Sequence, residues 1–488
     1  MTKTKSESIL PARLNRPDLV STLCGLAVPD SHSYTVAECN FSLIAIGRRQ
    51  SLLSKLDAKS LSLITDGDGL RYQPVQLPEC LLENANPGDF QPIFSVDEEG
   101  NPVALPSSFN TTGAVFCWHP VLPWIAVVLQ NGTLCIYDIE QRCWRPISLQ
   151  RDDQANPIDV KFCPIHPNII AVLCPSQVCL WQLSPGHKTA SLQILRPSTW
   201  KPAFPEQYRG SLSFSSSGRY LAFVCENQPS VAIWDLSSSI SPQHCVLKQR
   251  LKSLSFVQFS PNGRYLVALS SSICHYILWD AITWECIRWS AGDSPGSALV
   301  WHNREDLFLM AHLSSSLIHS IRVCPVECNT DFDAFPEGLQ NRPCFGGNIK
   351  DMAWSPDCQR LALTFTNELD SSASISSNLI AILATNVQKD ERIKFTPIGF
   401  IRGPSSRIPH ALNSPSRIEF RPFYDHGALL SVLWSQGQIT FYPLLYSAKN
   451  SLNYQSTPGR FSNLLPTLNE NENRLSPDNP SFMNKPIF

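Results

Sequence analysis

Seven copies of one short pattern run along the chain and restrict it to a repeat architecture. Each copy has an apolar strand ending in an aromatic residue, a turn, a second apolar strand, and a third strand after a polar gap. The clearest copy is LSFVQFSPNGRYLVAL at 254–269, followed by YILWD at 276–280. Other copies begin near residues 114, 158 and 211, and weaker ones near 298, 351 and 418. Self-similarity of this kind is typical of folds assembled from stacked, equivalent units.

The aromatic residue that ends each first strand measures the period of the repeat. These residues are Trp118, Phe162, Phe214, Phe259, Trp301, Trp354 and Phe420, and their successive separations are 44, 52, 45, 42, 53 and 66 residues. The separations near 44 match the period of about 40–45 residues of WD40 blades, and the longer ones indicate loop insertions. We therefore predict an all-β chain with a seven-bladed WD40-type β-propeller over residues 105–448.

The chemistry of the turns and strand ends agrees with this interpretation. The turns SPNG, SSSG and SPDC use the residues that a hairpin needs where φ is fixed or positive. Asp138, Asp235 and Asp280 follow third strands, where a carboxylate accepts backbone N–H groups of the next turn. The predicted structural anchors of the blades are Trp118, Phe162, Trp181, Phe214, Trp234, Asp235, Phe259, Trp279, Asp280, Trp301, Trp354, Phe420 and Trp434.

The stretch WDAITWECIRW concentrates three tryptophans, Trp279, Trp284 and Trp289, within a few residues. Aromatic surface of this density can stack nucleic-acid bases, but that use needs interleaved basic residues, and Arg288 alone is present. The repeat instead predicts that Trp279 closes a third strand and that Trp284 to Trp289 form the outer fourth strand. We expect at least one tryptophan of that strand to pack between blades.

Residues 1–104 and 449–488 flank the predicted propeller. A propeller ring is usually closed by a strand from the other end of the chain, and SYTVAE at 33–38 and FSLIAI at 41–46 are the candidates. Leu52, Leu53, Leu56 and Leu61 share a helical face, which predicts a short helix. The segment 449–488 is rich in Asn, Ser and Pro and is predicted to be disordered. It contains Thr457-Pro458 and Ser476-Pro477, which are either phosphorylation sites or chance matches.

Charge and cysteine content exclude several classes of protein. A net charge of −2, from 39 basic and 41 acidic residues, removes the usual electrostatic case for a nucleic-acid or anionic-membrane binder. The 17 cysteines are odd in number and form no C-x-x-C pair, and the N-terminus has no signal-peptide core. We expect a soluble intracellular chain with reduced thiols that contacts membranes only through a partner.

The sequence gives little support for catalysis or metal binding. GDSPG, from Gly292 to Gly296, fits the nucleophile elbow of hydrolases, but that elbow needs a strand entering and a helix leaving. Zinc sites need two close ligand pairs, whereas Cys324 and Cys328 form one loose pair. His275, His302 and His319 lie in neighbouring repeats rather than in one cluster. We expect no catalytic residue, metal, cofactor or small-molecule substrate.

Three phrases give the chain a family resemblance. VFCWHP…IAVVL…GTLCIYD, WDAITWECIRW and HGALLSVLWSQGQITFYPLLY occur in order between about Ala114 and Tyr446. With these phrases the sequence resembles the aladin family of WD-repeat nucleoporins, whereas its two ends are less similar.

The resemblance implies a non-enzymatic scaffold of the nuclear pore complex at the nuclear envelope, with possible cytoplasmic or nucleoplasmic pools. It further implies that a membrane-spanning nucleoporin holds the chain at the pore and that the chain supports nucleocytoplasmic transport of protein and mRNA. The alternative is a WD-repeat adaptor of another assembly, such as a ubiquitin-ligase substrate receptor or a spindle-associated scaffold.

Overall fold

The computed structural model describes most of the residues between 114 and 446 and four short stretches before them. The described residues are 9–15, 33–39, 41–47, 75–76, 114–151, 154, 156–184, 190–197, 209–225, 230–237, 243–248, 254–270, 272–290, 295–304, 306–312, 318–325, 348–366, 378–387, 393–403 and 413–446. Across these ranges every extended regular element is a β-strand. No helix of the described part is long and apolar enough to cross a membrane.

Four strands precede the repeats: β1 (Ile9–Asn15), β2 (Ser33–Cys39), β3 (Ser42–Gly47) and β4 (Val75–Gln76). The first two blades follow. Blade 1 consists of β5 (Val115–Trp118), β6 (Trp124–Val128), β7 (Leu134–Asp138) and β8 (Cys143–Leu149). Blade 2 consists of β9 (Asp159–Phe162), β10 (Ile169–Cys174), β11 (Gln177–Leu183) and β12 (Ala190–Leu195).

The middle blades repeat this plan. Blade 3 consists of β13 (Gly210–Phe214), β14 (Tyr220–Cys225), β15 (Ser230–Asp235) and β16 (Gln243–Lys248). Blade 4 consists of β17 (Leu254–Phe259), β18 (Tyr265–Ser270), β19 (His275–Asp280) and β20 (Cys286–Ser290). Blade 5 has three strands of its own, β21 (Gly296–Trp301), β22 (Leu307–His312) and β23 (Ile318–Pro325).

The last two blades complete the ring. Blade 6 consists of β24 (Ile349–Trp354), β25 (Arg360–Phe365), β26 (Leu379–Val387) and β27 (Ile393–Arg402). Blade 7 has β28 (Pro415–Phe420), β29 (Gly427–Trp434) and β30 (Gln438–Leu445). Each blade is a separate sheet whose repeat strands pair antiparallel in chain order, so the predicted seven-bladed propeller is confirmed.

The core of the propeller lies between the blades rather than within them. Seven clusters of buried side chains each join two neighbouring blades. One of them joins the last blade to the first, because Leu429 and Phe441 pack against Phe116 and Trp118. Strands buried on both faces read as continuous apolar runs, which explains why the second strand of each repeat lacks polar alternation. Burial of this apolar surface is the main force that holds the ring together.

The N-terminal strands complete the two blades that have only three strands of their own. β1 pairs antiparallel with β23 and adds the outer strand of blade 5. β2 pairs with β30 and adds the fourth strand of blade 7, and β3 continues that sheet outward. The β2–β30 pairing is parallel, unlike the pairing between repeat strands, with Glu38 opposite Leu444. β4 pairs with the beginning of β30. The closing candidate 33–38 thus lies in β2, and the candidate 41–46 lies in β3 except for Phe41, which belongs to the turn between β2 and β3.

Other sequence expectations have different outcomes. The helix expected around Leu52, Leu53, Leu56 and Leu61 and the tail 449–488 lie outside the described residues, so both stay predictions. The outer strand of blade 4 was predicted to begin at Trp284, and this is wrong because β20 begins at Cys286. Trp284 has φ of 58° and donates its backbone N–H to the Asp280 carbonyl, which places it in the preceding turn.

Candidate functional site

The predicted aromatic anchors lie in the clusters between blades and offer no open aromatic surface. Trp279 and Trp434 are among the largest fully buried side chains. Of the other anchors, Trp118, Phe162, Trp181, Trp234, Phe259, Trp301, Trp354 and Phe420 are also buried, and Phe214 is half-buried. Several indole N–H groups are satisfied internally, for example Trp118 on Ser431 Oγ at 2.9 Å and Trp354 on Thr385 Oγ1 at 2.9 Å. Their geometry is that of packing rather than ligand binding.

The three tryptophans of WDAITWECIRW have separate environments. Trp279 is 1% exposed in the cluster between blades 3 and 4. Trp284 is half-buried against the same cluster and meets the Tyr220 ring edge-on, with 5.7 Å between ring centroids. Trp284 thus packs between two blades, although it does so from a turn. The side chain of Trp289 lies outside the described part of the structure.

The aspartates at the ends of third strands organise the following turns. Asp235 Oδ1 accepts the Ser237 N–H at 3.0 Å, and Asp280 Oδ1 accepts the Ile282 N–H at 2.8 Å. Arg219 donates Nε and Nη2 to Asp235 at 3.0 and 2.7 Å. The hydrogen bond from Arg219 holds the pKa of Asp235 well below its usual range. This pair is exposed, so solvent screens most of its contribution to stability.

Turns between first and second strands share one face of the ring, because each blade is antiparallel and its first strand runs in the same direction. On blades 3, 4 and 6 these turns are 215–218, 260–263 and 355–358, which we name the polar turns. In each, a serine Oγ accepts the N–H that opens the second strand, at 3.0, 2.9 and 2.9 Å for Ser215, Ser260 and Ser355. The fourth residue of each turn has positive φ. Their polar side chains therefore serve the turns themselves.

Neighbouring polar turns also contact one another and the turn of blade 5. A Cβ at Gly263 would lie 2.6 Å from Ser216 Oγ of blade 3. Asn262 Nδ2 donates to Asp306 Oδ1 at 2.5 Å, and Asn303 Nδ2 of blade 5 donates to the Pro356 carbonyl at 2.7 Å. The two hydrogen bonds join blades 4, 5 and 6 at this face, and the close approach of Gly263 to Ser216 brings blade 3 against blade 4.

The equivalent turns of blades 7, 1 and 2 are different, and we name them the apolar turns. They are 421–426, 119–123 and 163–168, with the sequences RPFYDH, HPVLP and CPIHPN. Their large apolar side chains are exposed, with Phe423 68% exposed, Val121 64%, Ile165 40% and Leu122 37%. The polar side chains of His166, Asp425 and His426 are exposed on the same turns. The three turns are consecutive around the ring because blade 7 neighbours blade 1.

A buried ion pair joins the N-terminal segment to the propeller. Arg360 Nε donates to Glu38 Oε2 at 2.9 Å, and Arg360 Nη2 donates to Glu38 Oε1 at 2.7 Å. The two side chains are 2% and 0% exposed. The guanidinium lies over the Tyr446 ring at 4.0 Å and over the Phe41 ring at 4.8 Å. We call these four residues the closure cluster, because they join β2 and its following turn to blade 6 and to the residue after β30.

The closure cluster extends to the polar turn of blade 6. The Tyr446 hydroxyl donates to Asp357 Oδ2 at 2.5 Å. Burial raises the pKa of the Tyr446 phenol, and the Asp357 carboxylate raises it further, so Tyr446 stays protonated. Phe41 has φ of 67° and donates its backbone N–H to Glu38 Oε1 at 3.2 Å. A residue with positive φ other than glycine is strained, and here the surrounding contacts offset that strain.

Charged side chains on the first strands surround the axis of the ring. Arg417 of blade 7 pairs with Asp159 of blade 2, and Lys161 Nζ lies 3.4 Å from Glu419 Oε1 between the same two blades. Burial raises the pKa of Glu419, although Lys161 and Arg417 oppose the shift. Burial lowers the pKa of Lys161, but Glu419 and Asp159 more than offset this, so its pKa is raised. These opposite charges neutralise one another across blade 1.

Among the described residues, the candidate chemical groups do not come together in one site. Within the described ranges no group of three His, Cys, Asp or Glu residues could hold a metal ion. His302 and His319 are buried, and the His302 ring packs edge-on against Trp354 with centroids 5.1 Å apart. The GDSPG stretch leads into β21, a strand rather than a helix. Burial raises the pKa of the Cys117 thiol beside the axial charges, which disfavours the nucleophilic thiolate.

Sequence reasoning missed the closure cluster and the axial charges. The axial pairs had a local signal, because IDVKF and SRIEF place charges at alternate positions of otherwise apolar inner strands. Glu38 and Arg360 had none, since 322 residues separate them. Thr457 and Ser476 lie outside the described residues and stay predictions.

Comparison with known proteins supports the family resemblance. The chain is similar to Aladin of Arabidopsis thaliana, with 26% identity over 367 residues that cover 70% of this chain and 78% of the relative. No protein-family model matches the sequence. Among solved structures, a chain of the mitotic checkpoint complex has 14% identity and a TM-score of 0.49, covering 71% of this chain and 96% of that chain. The β-propeller domain of Myceliophteria thermophila Cps50 (Swd1) has 15% identity and a TM-score of 0.47, covering 69% and 98%.

The phrases behind the family resemblance and the seven inter-blade clusters lie in the same part of the chain. The phrases that carry the resemblance lie between about 114 and 446, where the structure forms the closed ring. This chain is therefore a closed seven-bladed propeller similar to Aladin over most of its length.

Proposed function

We propose that the chain is a non-enzymatic scaffold component of the nuclear pore complex, where it binds a membrane-anchored nucleoporin and supports nucleocytoplasmic transport. The observation that carries the proposal is the similarity to Aladin over 70% of the chain. The structure supports a scaffold role in a second way. Two ion pairs with buried carboxylates, Arg360 with Glu38 and Arg417 with Asp159, join separate parts of the ring, as expected of a rigid support.

Localisation tests the proposal. A fluorescently tagged full chain, expressed in place of the native copy, should give a punctate nuclear rim. Removing membrane-embedded pore subunits one at a time should disperse the rim signal for the subunit that anchors the chain. Diffuse cytosolic signal would contradict the nucleoporin assignment and favour an adaptor of another assembly. Spindle signal without a rim in interphase would favour the spindle-associated alternative.

A transport measurement tests the second half of the proposal. Depleting the chain should slow nuclear accumulation of an import reporter and retain polyadenylated RNA in the nucleus. Re-expression of the intact chain should restore both. A rim-localised chain whose depletion changes neither readout would leave the scaffold assignment standing and contradict the transport role.

A further inference from the structure

The apolar turns form a surface that the fold itself does not use. Among the described residues, four large apolar side chains on turns between first and second strands are more than a third exposed, and all four belong to blades 7, 1 and 2. None lies on the polar turns of blades 3, 4 and 6. Single exposed apolar side chains are common on protein surfaces, whereas a contiguous group of them exposed to solvent is typical of an interaction site.

The three turns form a continuous surface because contacts link each of them to the next blade. The Arg421 guanidinium of blade 7 lies 5.4 Å from the Trp118 ring centroid of blade 1. The His119 ring, which opens the blade 1 turn, meets the Phe162 ring of blade 2 edge-on with centroids 4.8 Å apart. Tyr424 packs against the cluster that joins blades 7 and 1. Aromatic contacts therefore connect the three turns from blade 7 to blade 2.

The backbone of these turns is already hydrogen-bonded. His119 Nδ1 accepts the N–H groups of Val121 and Leu122 at 3.1 and 2.8 Å. The Cys163 N–H donates to the Ile169 carbonyl, and the Arg421 N–H donates to the Leu429 carbonyl, each at 2.9 Å. An extended peptide gains affinity by pairing its main chain with the open edge of a strand, and these turns lie outside the strands. The surface instead suits a ligand that satisfies its own backbone and presents only side chains.

Charge also restricts the ligand. On the described apolar turns the carboxylate and guanidinium side chains are Asp425 and Arg421, of opposite sign, and the imidazoles of His166 and His426 are exposed beside the apolar side chains. A strongly charged ligand face has no complement here. The ligand surface that fits the apolar turns is apolar, and the charged side chains of the ligand point away from the ring.

We propose that the apolar turns bind the apolar face of an amphipathic helix belonging to a protein partner. A helix satisfies its own backbone hydrogen bonds and can carry its charges on the opposite face. The inference deepens the proposed scaffold function and rests on it for the cellular setting of the partner. Packed sheets lie about 10 Å apart and a helix rises 1.5 Å per residue. Helix residues about seven positions apart should therefore meet Phe423, Val121 and Ile165.

Site-specific photo-crosslinking in cells tests the inference. The probe is p-benzoylphenylalanine, placed singly at positions 423, 121 and 165 of the full chain, with position 282 as the matched control. Ile282 is 77% exposed and lies on a turn of blade 4, so it tests exposure at a place away from the apolar turns. Expected are crosslinks from the three positions to one protein segment, at sites about seven residues apart, and none to that segment from position 282.

Binding of a synthetic peptide spanning the captured segment gives the quantitative test. Phe423→Asp and Val121→Asp in the purified full chain should each weaken peptide binding at least about tenfold, whereas Ile282→Asp should not change it. Circular dichroism of all three variants should match the parent, because the replaced side chains are exposed. The bound peptide should also gain helical signal.

Several outcomes would overturn the inference. Crosslinks to lipid, to a second copy of the chain or to the chain itself would do so. Crosslinks from the three positions to three unrelated proteins would also do so. A third such outcome is a set of crosslink sites about three residues apart, because that spacing is typical of an extended strand. Vesicles of phosphatidylcholine and phosphatidylserine that bind the parent but not Val121→Asp would also overturn it. If the helix is captured but the protein is absent from the nuclear rim, the proposed function fails and the docking surface stands.

Discussion

The polar and apolar turns occupy the same place in the repeat, but the side chains of the polar turns bond within the ring and the large side chains of the apolar turns face solvent. On blade 4, Ser260 Oγ accepts the Tyr265 N–H and donates to Asn262, and Asn262 bonds onward to blade 5. On blade 1, Val121 and Leu122 leave the turn and face solvent. The polar turns stabilise the ring, and the apolar turns leave a surface that a protein partner can bind. One structural position in a repeat protein can thus be used for either stability or binding.

The largest expected difference concerns the closure cluster beside the polar turn of blade 6. Arg360→Ala should destabilise the chain by about 3–5 kcal/mol, because it leaves the Glu38 carboxylate buried without its partner. Denaturant unfolding of the purified chain measures this. Arg219→Ala removes an equally well-formed pair that is exposed, and it should leave the midpoint nearly unchanged. Equal effects of the two variants would show that β2 is not held by this pair.

A matched pair of truncations tests the two kinds of turn directly. Ser260→Ala should cost about 1–3 kcal/mol, since the buried Tyr265 N–H loses its acceptor. Val121→Ala on an apolar turn should change stability by less than about 0.5 kcal/mol. Thermal unfolding of both variants alongside the parent gives the comparison. A larger cost for Val121→Ala would reverse the roles assigned to the two kinds of turn.

Contact between adjacent polar turns can be measured at Gly263. Gly263→Ala should cost about 1–2 kcal/mol, because φ is 73° and the added methyl group meets Ser216 Oγ. In a Ser216→Ala background the same substitution should cost less, by about 0.5 kcal/mol or more. Strict additivity in this double-mutant cycle would mean that the turns of blades 3 and 4 do not touch.

The smallest stability effect is expected for the charged variants of the apolar turns. Phe423→Asp should change the free energy of unfolding by no more than about 0.5 kcal/mol, because the ring is mostly in solvent. Denaturant unfolding at neutral pH provides the measurement. Marked destabilisation would show that Phe423 is a packing residue and would remove it from the docking surface.

The fold could be predicted from local sequence patterns, whereas contacts between residues far apart in the sequence could not. The apolar runs and the turn residues of the repeat are encoded within a few positions, so the seven blades follow from the sequence. The predicted start of the outer strand at Trp284 was wrong because alternation along a strand does not reveal a residue with positive φ. The positive φ of Trp284 places it in the turn, so β20 begins two residues later. The closure cluster depends on Glu38 and Arg360, which only the closed ring brings together. The apolar turns are visible as RPF, HPVLP and CPIHP, but their exposure on one face is a property of the assembled propeller.

The docking surface is tested most directly in cells, by comparing variants of the apolar turns with a variant at an exposed residue outside them. The tagged chain carrying Val121→Asp, Ile165→Asp and Phe423→Asp is compared with the tagged chain carrying Ile282→Asp, at equal expression and equal thermal stability. We expect the triple variant to lose the nuclear rim signal and the Ile282→Asp variant to keep it. Equal rim signal from the two variants would contradict the claim that the apolar turns of blades 7, 1 and 2 hold the partner.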